Sequence, residues 1–435
     1  MVMYVPQELK KLNEPYDLCP VETELSVGRL AVHKEIPLCA SFRMSAFLIA
    51  AASFVGLLPL LLYYLFYPAI VAARHGYDEA AIEEDLRGLK VGDRGGEGVA
   101  RKDDEVLLSL IVPAYNEEDR LLIMLNEAVG YLIRERQAVE RMCREALGGG
   151  AGCVENVDSG PAPAPAAPFE VIIVDDGSRD GTAALVRTFA ASARSLEFPE
   201  PSSAAAAVSI RLLVHRKNGG KGRAVRSGML GARGRLRLMV DADGATEFGG
   251  GLRGVLGEMA RISELERRMG RGGDTTQTQR MTTTAAAVFG SRAHLEIDSA
   301  AVRSPLRTFL MRSFHFFVRN LCSPLVRDTQ CGFKLFTSAA AVHLFENLHL
   351  RRWAFDTELV VIAELTGVRE KRGMGVIVDG VTIGEVGVQW KEVDGSKLDT
   401  DKLTLALVSL GMLRDMVCVR VCYSLGIWKI RHIRQ

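Results

Sequence analysis

Four apolar runs in this 435-residue sequence end in carboxylates or cations. Leu107–Pro113 (LLSLIVP) leads into Ala114-Tyr115-Asn116-Glu117-Glu118, and Val171–Val174 into Asp175-Asp176-Gly-Ser-Arg-Asp180-Gly. Ile210–Val214 leads into His215-Arg-Lys-Asn218-Gly-Gly-Lys221-Gly-Arg223, and Leu236–Val240 into Asp241-Ala-Asp243-Gly. The last run carries the clearest chemistry. Residues i and i+2 leaving a strand point to the same side, so Asp241 and Asp243 form a carboxylate pair. Such a pair suits a hard divalent cation, Mg²⁺ or Mn²⁺, completed by substrate phosphates and water. The metal would neutralise charge developing on a diphosphate leaving group. Glycines and Lys221 at the opening of a helix also suit phosphate. That loop is neither GxxxxGK[ST] nor GxGxxG, so it supports neither a P-loop ATPase nor a dinucleotide-binding dehydrogenase. Each motif alone has a plainer reading. Asp-Gly pairs make turns and Asp before a helix makes an N-cap, Asp180 in particular. Four such ends at one rim argue for a site.

The elements that must carry these residues alternate. The apolar runs read as buried strands, and Glu117–Arg134, Thr182–Ala191 and Gly222–Ala232 carry helical spacing. Strands alternating with helices predict an α/β fold with a mostly parallel, Rossmann-like sheet. Ligands of such sheets sit beyond the carboxyl ends of the strands, where all four motifs fall. The domain is expected over 106–400, with surface insertions near 148–168 (GGGAGCVENVDSGPAPAPAAP), 192–207 and 249–284.

Ahead of the domain lie a polar segment (1–43), an uncharged run and a polar juxtamembrane linker (74–105). No charged residue occurs between Met44 and Ala73. A helix of about 30 residues reaches about 45 Å, and a bilayer core needs only about 20 residues. A transmembrane helix is therefore expected at 44–73, with Tyr63, Tyr64 and Tyr67 as an interfacial belt. The run is too long and starts too late for a cleaved signal peptide. Segment 401–435 is also apolar, but Arg414, Asp415 and Arg420 oppose a second span and favour an amphipathic, membrane-lying or partner-contacting helix. Arg303, Arg307, Arg312 and Arg319 stud another apolar stretch, which reads equally as an interfacial helix or as an amphipathic core helix. A net charge of +1 leaves no basic field for nucleic acid. The eight cysteines show no CxxC and no zinc spacing, which fits reduced thiols on the cytosolic side of a membrane.

Taken together, IVPAYNEE, VIIVDDGSRDGT and VDADGAT resemble the inverting family 2 glycosyltransferases of GT-A (nucleotide-diphospho-sugar transferase) fold. Downstream, FGSRAH (Phe289–His294), RDTQCGFKLF (Arg327–Phe336), WAFDTEL (Trp353–Leu359) and VQWKEVDGSKL (Val388–Leu398) are similar to the dolichyl-phosphate β-glucosyltransferases. That resemblance implies transfer of glucose from UDP-glucose to dolichyl phosphate, giving dolichyl β-D-glucosyl phosphate for protein N-glycosylation. It also implies a single-pass protein of the endoplasmic reticulum membrane with its catalytic domain facing the cytosol. By motif, Pro113, Tyr115, Glu117 and Asp176 would line the uridine site, and Lys221 would sit near the nucleotide phosphates. Asp241 and Asp243 would take the sugar nucleotide and the metal, Asp243 being the stronger ligand candidate. Arg292 together with Gln330, Cys331, Gly332 and Lys334 would shape the donor-sugar and acceptor side.

The acceptor changes what a catalytic base must do. A phosphate monoester has a second pKa of about 6, so a lipid phosphate is already largely dianionic at pH 7. Bringing two anions together is the harder task, and electrostatic preorganisation should dominate. Asp356 in WAFDTEL is therefore expected to position acceptor or sugar more than to abstract a proton, with Glu358 as the other candidate. The competing reading is that Asp356 caps a helix over Thr357–Leu365. A dolichyl-phosphate mannosyltransferase using GDP-mannose shares the first motifs. An inactive membrane-tethered binding module conflicts with the retained Asp176, Lys221, Asp241 and Asp243. A nucleotidyltransferase leaves TQCGFK and WAFD without a role. Arg352-Trp353 resembles the QxxRW of processive synthases, but His349 stands where Gln should.

Overall fold

The computed structural model describes residues 59–73, 106–149, 167–193, 208–270, 285–293, 326–367, 369–370, 376–377, 380–391 and 402–431. Helix α1 covers 59–73. Strand β1 (Leu108–Ala114) precedes α2 (Leu121–Arg134) and α3 (Arg136–Ala146), and β2 (Phe169–Asp175) precedes α4 (Thr182–Ala193). Next come β3 (Val208–Val214), α5 (Lys221–Gly231), β4 (Leu236–Val240) and α6 (Phe248–Gly270). They are followed by β5 (Ala286–Ser291), β6 (Phe333–Thr337), α7 (Ser338–Glu346) and α8 (Phe355–Thr366). A small hairpin, β7 (Arg369–Glu370) with β8 (Val376–Ile377), then β9 (Thr382–Gly387) and α9 (Lys402–Ser424) complete the described chain.

Seven strands form one sheet in the order β3-β2-β1-β4-β6-β5-β9. The pairs β1/β2, β2/β3, β1/β4 and β5/β9 are parallel, whereas β6 runs antiparallel to both β4 and β5. The sheet is thus mixed. The parallel half matches the βαβ alternation in the sequence. The reversed β6 carries the TQCGFK motif back beside the end of β4.

Alternation along the strands builds two cores. Leu108, Leu110 and Val112, Val171 and Ile173, and Leu236, Leu238 and Val240 face α2, α3 and α6. Ile111, Ile172, Val174 and Met239 face the other way, against α5, α7, α8 and α9. The sheet is therefore covered on both faces, and its strands read as continuous apolar runs rather than alternating ones.

Helix α6 corrects the expected insertion at 249–284. Leu252, Val255, Leu256, Met259 and Ile262 recur at helical spacing and are buried against the sheet. The Gly249-Gly250-Gly251 start obscured that period. Residues 271–284 lie outside the described set, as do 150–166 and 194–207 of the other two expected insertions. The first helix begins at Leu121, not Glu117, because Glu117–Arg120 form a turn.

Of the expected transmembrane run, 44–58 lies outside the described residues and 59–73 is helical. Among the described residues no helix is long and apolar enough to cross a membrane. The 1–43 and 74–105 segments and the Arg303–Arg319 stretch also lie outside the described residues. Helix α9 buries Met416, Cys418, Val419 and Cys422 in the second core and leaves Leu407 and Leu410 exposed. Its Arg414 lies over the rings of Tyr64 and Tyr67 of α1, at 5.0 and 5.7 Å.

Candidate active site

The ends of β1 and β2 are laced together by hydrogen bonds within the chain. Asn116 takes a left-handed conformation (φ 53°), which asparagine tolerates better than most residues. Its N–H donates to Ser178 Oγ (2.9 Å) and its Oδ1 accepts from the Arg179 N–H (2.8 Å). The Glu117 N–H donates to Thr182 Oγ1, and Glu118 exchanges bonds with Asp180 and Gly181. Asp180 Oδ1 accepts from the Thr182 N–H and hydroxyl two residues on, the turn role among the plainer readings of the sequence. Burial pushes the Asp180 carboxyl up, but these hydrogen bonds outweigh it and hold it below its ordinary value. Glu117 is nearly buried and accepts from the Arg120 guanidinium (2.6 Å). Pro113 and Tyr115 are partly exposed at the same rim.

Asp176 organises the next loop. Its carboxylate pairs with His215 Nδ1 (2.7 Å) and accepts the N–H groups of Gly219 (3.0 Å) and Gly220 (2.7 Å). His215 Nε2 meets Ser227 Oγ on α5 at 3.1 Å. The glycine loop before α5 therefore spends two backbone donors on a carboxylate of its own chain. This departs from the open phosphate cradle that its composition implies. Gly220, at φ 100°, also lets the backbone pass the Arg351 carbonyl, where a Cβ would collide at 2.6 Å.

Lys221 then opens α5 and points at Asp241, its Nζ 2.7 Å from Oδ1 and 2.9 Å from Oδ2. Its ammonium also lies 5.5 Å from the ring centre of Trp353, whose side chain is partly exposed at this rim. Burial lowers the Lys221 pKa, but Asp241 and Asp356 outweigh that and raise it. Burial raises Asp241, but Lys221, Lys334 and Arg292 bring it below its ordinary value. The antiparallel β6 fixes Asp241 from the other side. The Asp241 N–H donates to the Gly332 carbonyl (3.0 Å), and a Cβ on Gly332 would overlap the Asp241 carboxylate.

Asp243 bears on the cation. Its Oδ1 accepts the Ala245 N–H at 3.0 Å. Burial and the charge of Asp241 raise its carboxyl despite that bond, so its negative charge is incompletely offset. A divalent cation would offset it. Among the described residues no three His, Cys, Asp or Glu gather into a protein-only cage. The donor set fits a cation held by Asp243 beside Asp241 and completed by a diphosphate, as hard cations with few protein ligands are.

Lys334 and Asp356 complete an alternating charge cluster. Lys334, on the β6 face turned to the second core, lies 2.7 Å from Asp356 Oδ1, donates to the Cys331 carbonyl and sits over the Phe289 ring at 5.4 Å. Burial raises the Asp356 carboxyl, and Lys334 and Lys221 only partly counter it. Helix α8 begins at Phe355 with Ala354 as its N-cap, so Asp356 is in its first turn and is not the cap. Arg292 forms a forked pair with Asp328 (2.7 and 2.9 Å) and lies 5.5 Å from the Trp390 ring centre. Burial opposes the charge on Arg292, but Asp328 raises its pKa well above the usual range. Gln330 donates its N–H to Asp328. Cys331 is fully buried, and burial with the nearby Asp328 pushes its thiol up to about 11.

Glu358 departs from the expected acceptor side. It is fully buried, and its carboxylate accepts from His349 N–H and Nδ1 (3.0 and 2.9 Å), Leu350 N–H (2.6 Å) and Tyr423 O–H (3.0 Å). The structure thus brings Lys221, Asp241, Asp243, Arg292, Gly332, Lys334 and Asp356 to one rim. Asn116, Ser178, His215, Asp328 and Trp353 join them; each lies within one of the sequence motifs, but residue type and spacing alone gave it no role.

Comparison with known proteins decides the family. The Glycosyl transferase family 2 model matches residues 151–336. Curated dolichyl-phosphate β-glucosyltransferases match beyond it. The one from Dictyostelium discoideum is 37% identical over 329 residues, 75% of this chain and 78% of its own. The chain belongs to the dolichyl-phosphate β-glucosyltransferase family. The human member is 36% identical over 75% of this chain and 79% of its own. The Saccharomyces cerevisiae member is 32% identical over 80% and 86%. The enzyme therefore has a GT-A-like glycosyltransferase fold built on the mixed sheet described above. A solved mannosyl-3-phosphoglycerate synthase from Rubrobacter xylanophilus is a distant likeness, aligning over 76% of this chain and 77% of its own at TM-score 0.36 and 13% identity.

Proposed function

We propose that this enzyme transfers glucose with inversion from UDP-glucose to dolichyl phosphate, yielding dolichyl β-D-glucosyl phosphate for protein N-glycosylation. The observation that carries the reading is the alternating Lys221, Asp241, Lys334 and Asp356 cluster at the carboxyl end of β4. It belongs to a chain whose relatives bear that name.

In-line attack on the anomeric carbon places a lipid phosphate opposite a departing diphosphate. Both are anions, so cations must meet them. In this reading Lys221, paired with Asp241, would meet the diphosphate, and Arg292, paired with Asp328, the acceptor phosphate. Mg²⁺ or Mn²⁺ bound at Asp243, with Asp241 alongside, would supply charge neutralisation at the leaving diphosphate. Asp356 positions rather than abstracts. It is buried against Lys334, and a dianionic acceptor needs no strong base. The uncharged run from Met44 to Ala73 supports a single anchor, and we place the enzyme in the endoplasmic reticulum membrane with its catalytic domain facing the cytosol.

The test supplies membranes holding the enzyme with dolichyl phosphate, Mg²⁺ or Mn²⁺, and either UDP-glucose or GDP-mannose. Glucolipid from UDP-glucose is expected. Glycolipid from GDP-mannose alone would overturn the donor, and nucleotide-sugar binding without any transfer would overturn the enzyme reading.

A further inference from the structure

The catalytic rim is shaped by a segment of chain that carries none of its reacting groups. Residues 347–352 run from the end of α7 to α8 and pack on the first turn of α5. The Arg223 N–H donates to the Arg351 carbonyl at 3.1 Å. The carbonyls of Arg351 and Leu350 lie where a Cβ on Gly220 or Gly222 would stand, at 2.6 and 2.8 Å. Lys221 lies between those two glycines, so this segment sets where its ammonium starts from. At its other end the same segment enters α8, whose first turn holds Asp356.

What holds the segment is the C-terminal stretch. Asn347 Nδ2 donates to the Arg431 carbonyl (3.1 Å), and Asn347 Oδ1 accepts the Arg431 N–H (2.7 Å). His349 stacks on Trp428 at 4.2 Å with 3° between the rings, and Tyr423 meets both rings edge-on. Glu358 joins the pieces, binding His349 and Leu350 on one side and the Tyr423 hydroxyl on the other. A fully buried carboxylate with donors from two separate elements has one favoured placement, because losing any donor leaves charge unsolvated.

We propose that Glu358 and Tyr423 are positioning residues for glucosyl transfer. They clasp the 349–352 segment so that Lys221 and Asp356 keep their relative placement. The inference rests on the reaction proposed above and names residues that touch neither substrate.

The test compares Tyr423→Phe, which keeps the ring contacts and removes one hydroxyl, with Glu358→Gln, in full-length enzyme. Tyr423→Phe is expected to lower kcat about tenfold, with KM for UDP-glucose within about twofold and Tm within about 3 °C. Its effect should vanish in an Asp356→Asn background, because residues that act through one another are not additive. Glu358→Gln should lower kcat further and lower Tm as well, so its kcat is compared with wild type at a temperature where both are fully folded. An unchanged kcat in Tyr423→Phe, or a penalty that multiplies fully with that of Asp356→Asn, would overturn the proposal. So would losses that track Tm alone and recover at lower temperature. A wild-type enzyme that transfers no glucose would instead remove the reaction, and this inference with it.

Discussion

The ammonium of Lys334 lies 2.7 Å from a carboxylate oxygen of Asp356, and both side chains are almost wholly withdrawn from solvent. The pair joins a strand that runs against its neighbours to the first turn of a helix. It therefore links the TQCGFK and WAFD motifs through charge rather than through substrate. Removing one member of a buried ion pair strands the other, which costs far more than the pair contributes.

Lys334→Met should destabilise the enzyme by about 3–5 kcal/mol in urea unfolding, since it leaves Asp356 buried without its cation. The double variant Lys334→Met/Asp356→Leu should recover part of that loss. A double variant whose loss equals the sum of the single losses would show that the two residues do not interact.

Gly332→Ala should leave the fold and impair transfer. The new methyl would occupy the place of the Asp241 carboxylate, which must swing away from Lys221. A displacement near 1 Å in such a site costs about 100-fold in rate. Transfer assays at saturating UDP-glucose, with circular dichroism as a fold control, would measure this. Unimpaired transfer would mean that Asp241 need not hold its present place.

Asp176→Asn separates a loop-organising role from a nucleotide contact. An amide cannot accept from Gly219, Gly220 and His215 as the carboxylate does. The expected result is about 1–3 kcal/mol lost in thermal or urea unfolding together with slower transfer. A rise in KM for UDP-glucose with stability intact would assign the carboxylate to the nucleotide instead.

Acid should weaken the enzyme partly through Asp328. Burial alone would raise its carboxyl, but Arg292 outweighs it and holds it below its ordinary value. A depressed carboxylate contributes stability above its unfolded pKa of about 3.9, and that contribution fades as pH falls through the folded value. Asp328→Asn should cost on the order of 2 kcal/mol at pH 7, and the gap to wild type should close below about pH 4. A gap independent of pH would count against the pairing.

Cys331 should resist alkylation in the native enzyme. Its thiol is buried and pushed up to about 11, and that of Cys143 to about 12, so little thiolate exists at pH 8. Iodoacetamide treatment followed by peptide mass spectrometry should find both unlabelled until denaturant is added. Native labelling of Cys331 at the rate of a free thiol would show that this part of the site opens to solvent.

The parallel half of the sheet was legible because β1 to β4 are apolar runs bounded by turn residues, a local signal of period and punctuation. The same signal put Asp241 and Asp243 at a strand end. It failed at α6, where glycines at 249–251 hid an apolar stripe that begins at Leu252.

By itself, the sequence determined the first four strands of the sheet, where the carboxylates leave them, and through its motifs the family. It could not say which charges meet. Lys334 with Asp356 and Arg292 with Asp328 meet through the antiparallel β6 and the placement of α8, and Lys221 meets Asp241 where the start of α5 comes beside the end of β4. Such pairings depend on distances between segments far apart in the chain, and no local pattern encodes them. Tertiary structure also changed the meaning of single residues. Asp176 spends its carboxylate on the glycine loop, and Glu358 spends its own on the C-terminal clasp. A carboxylate in a sequence is only an available acceptor. The donors that surround it once water is excluded decide what it does.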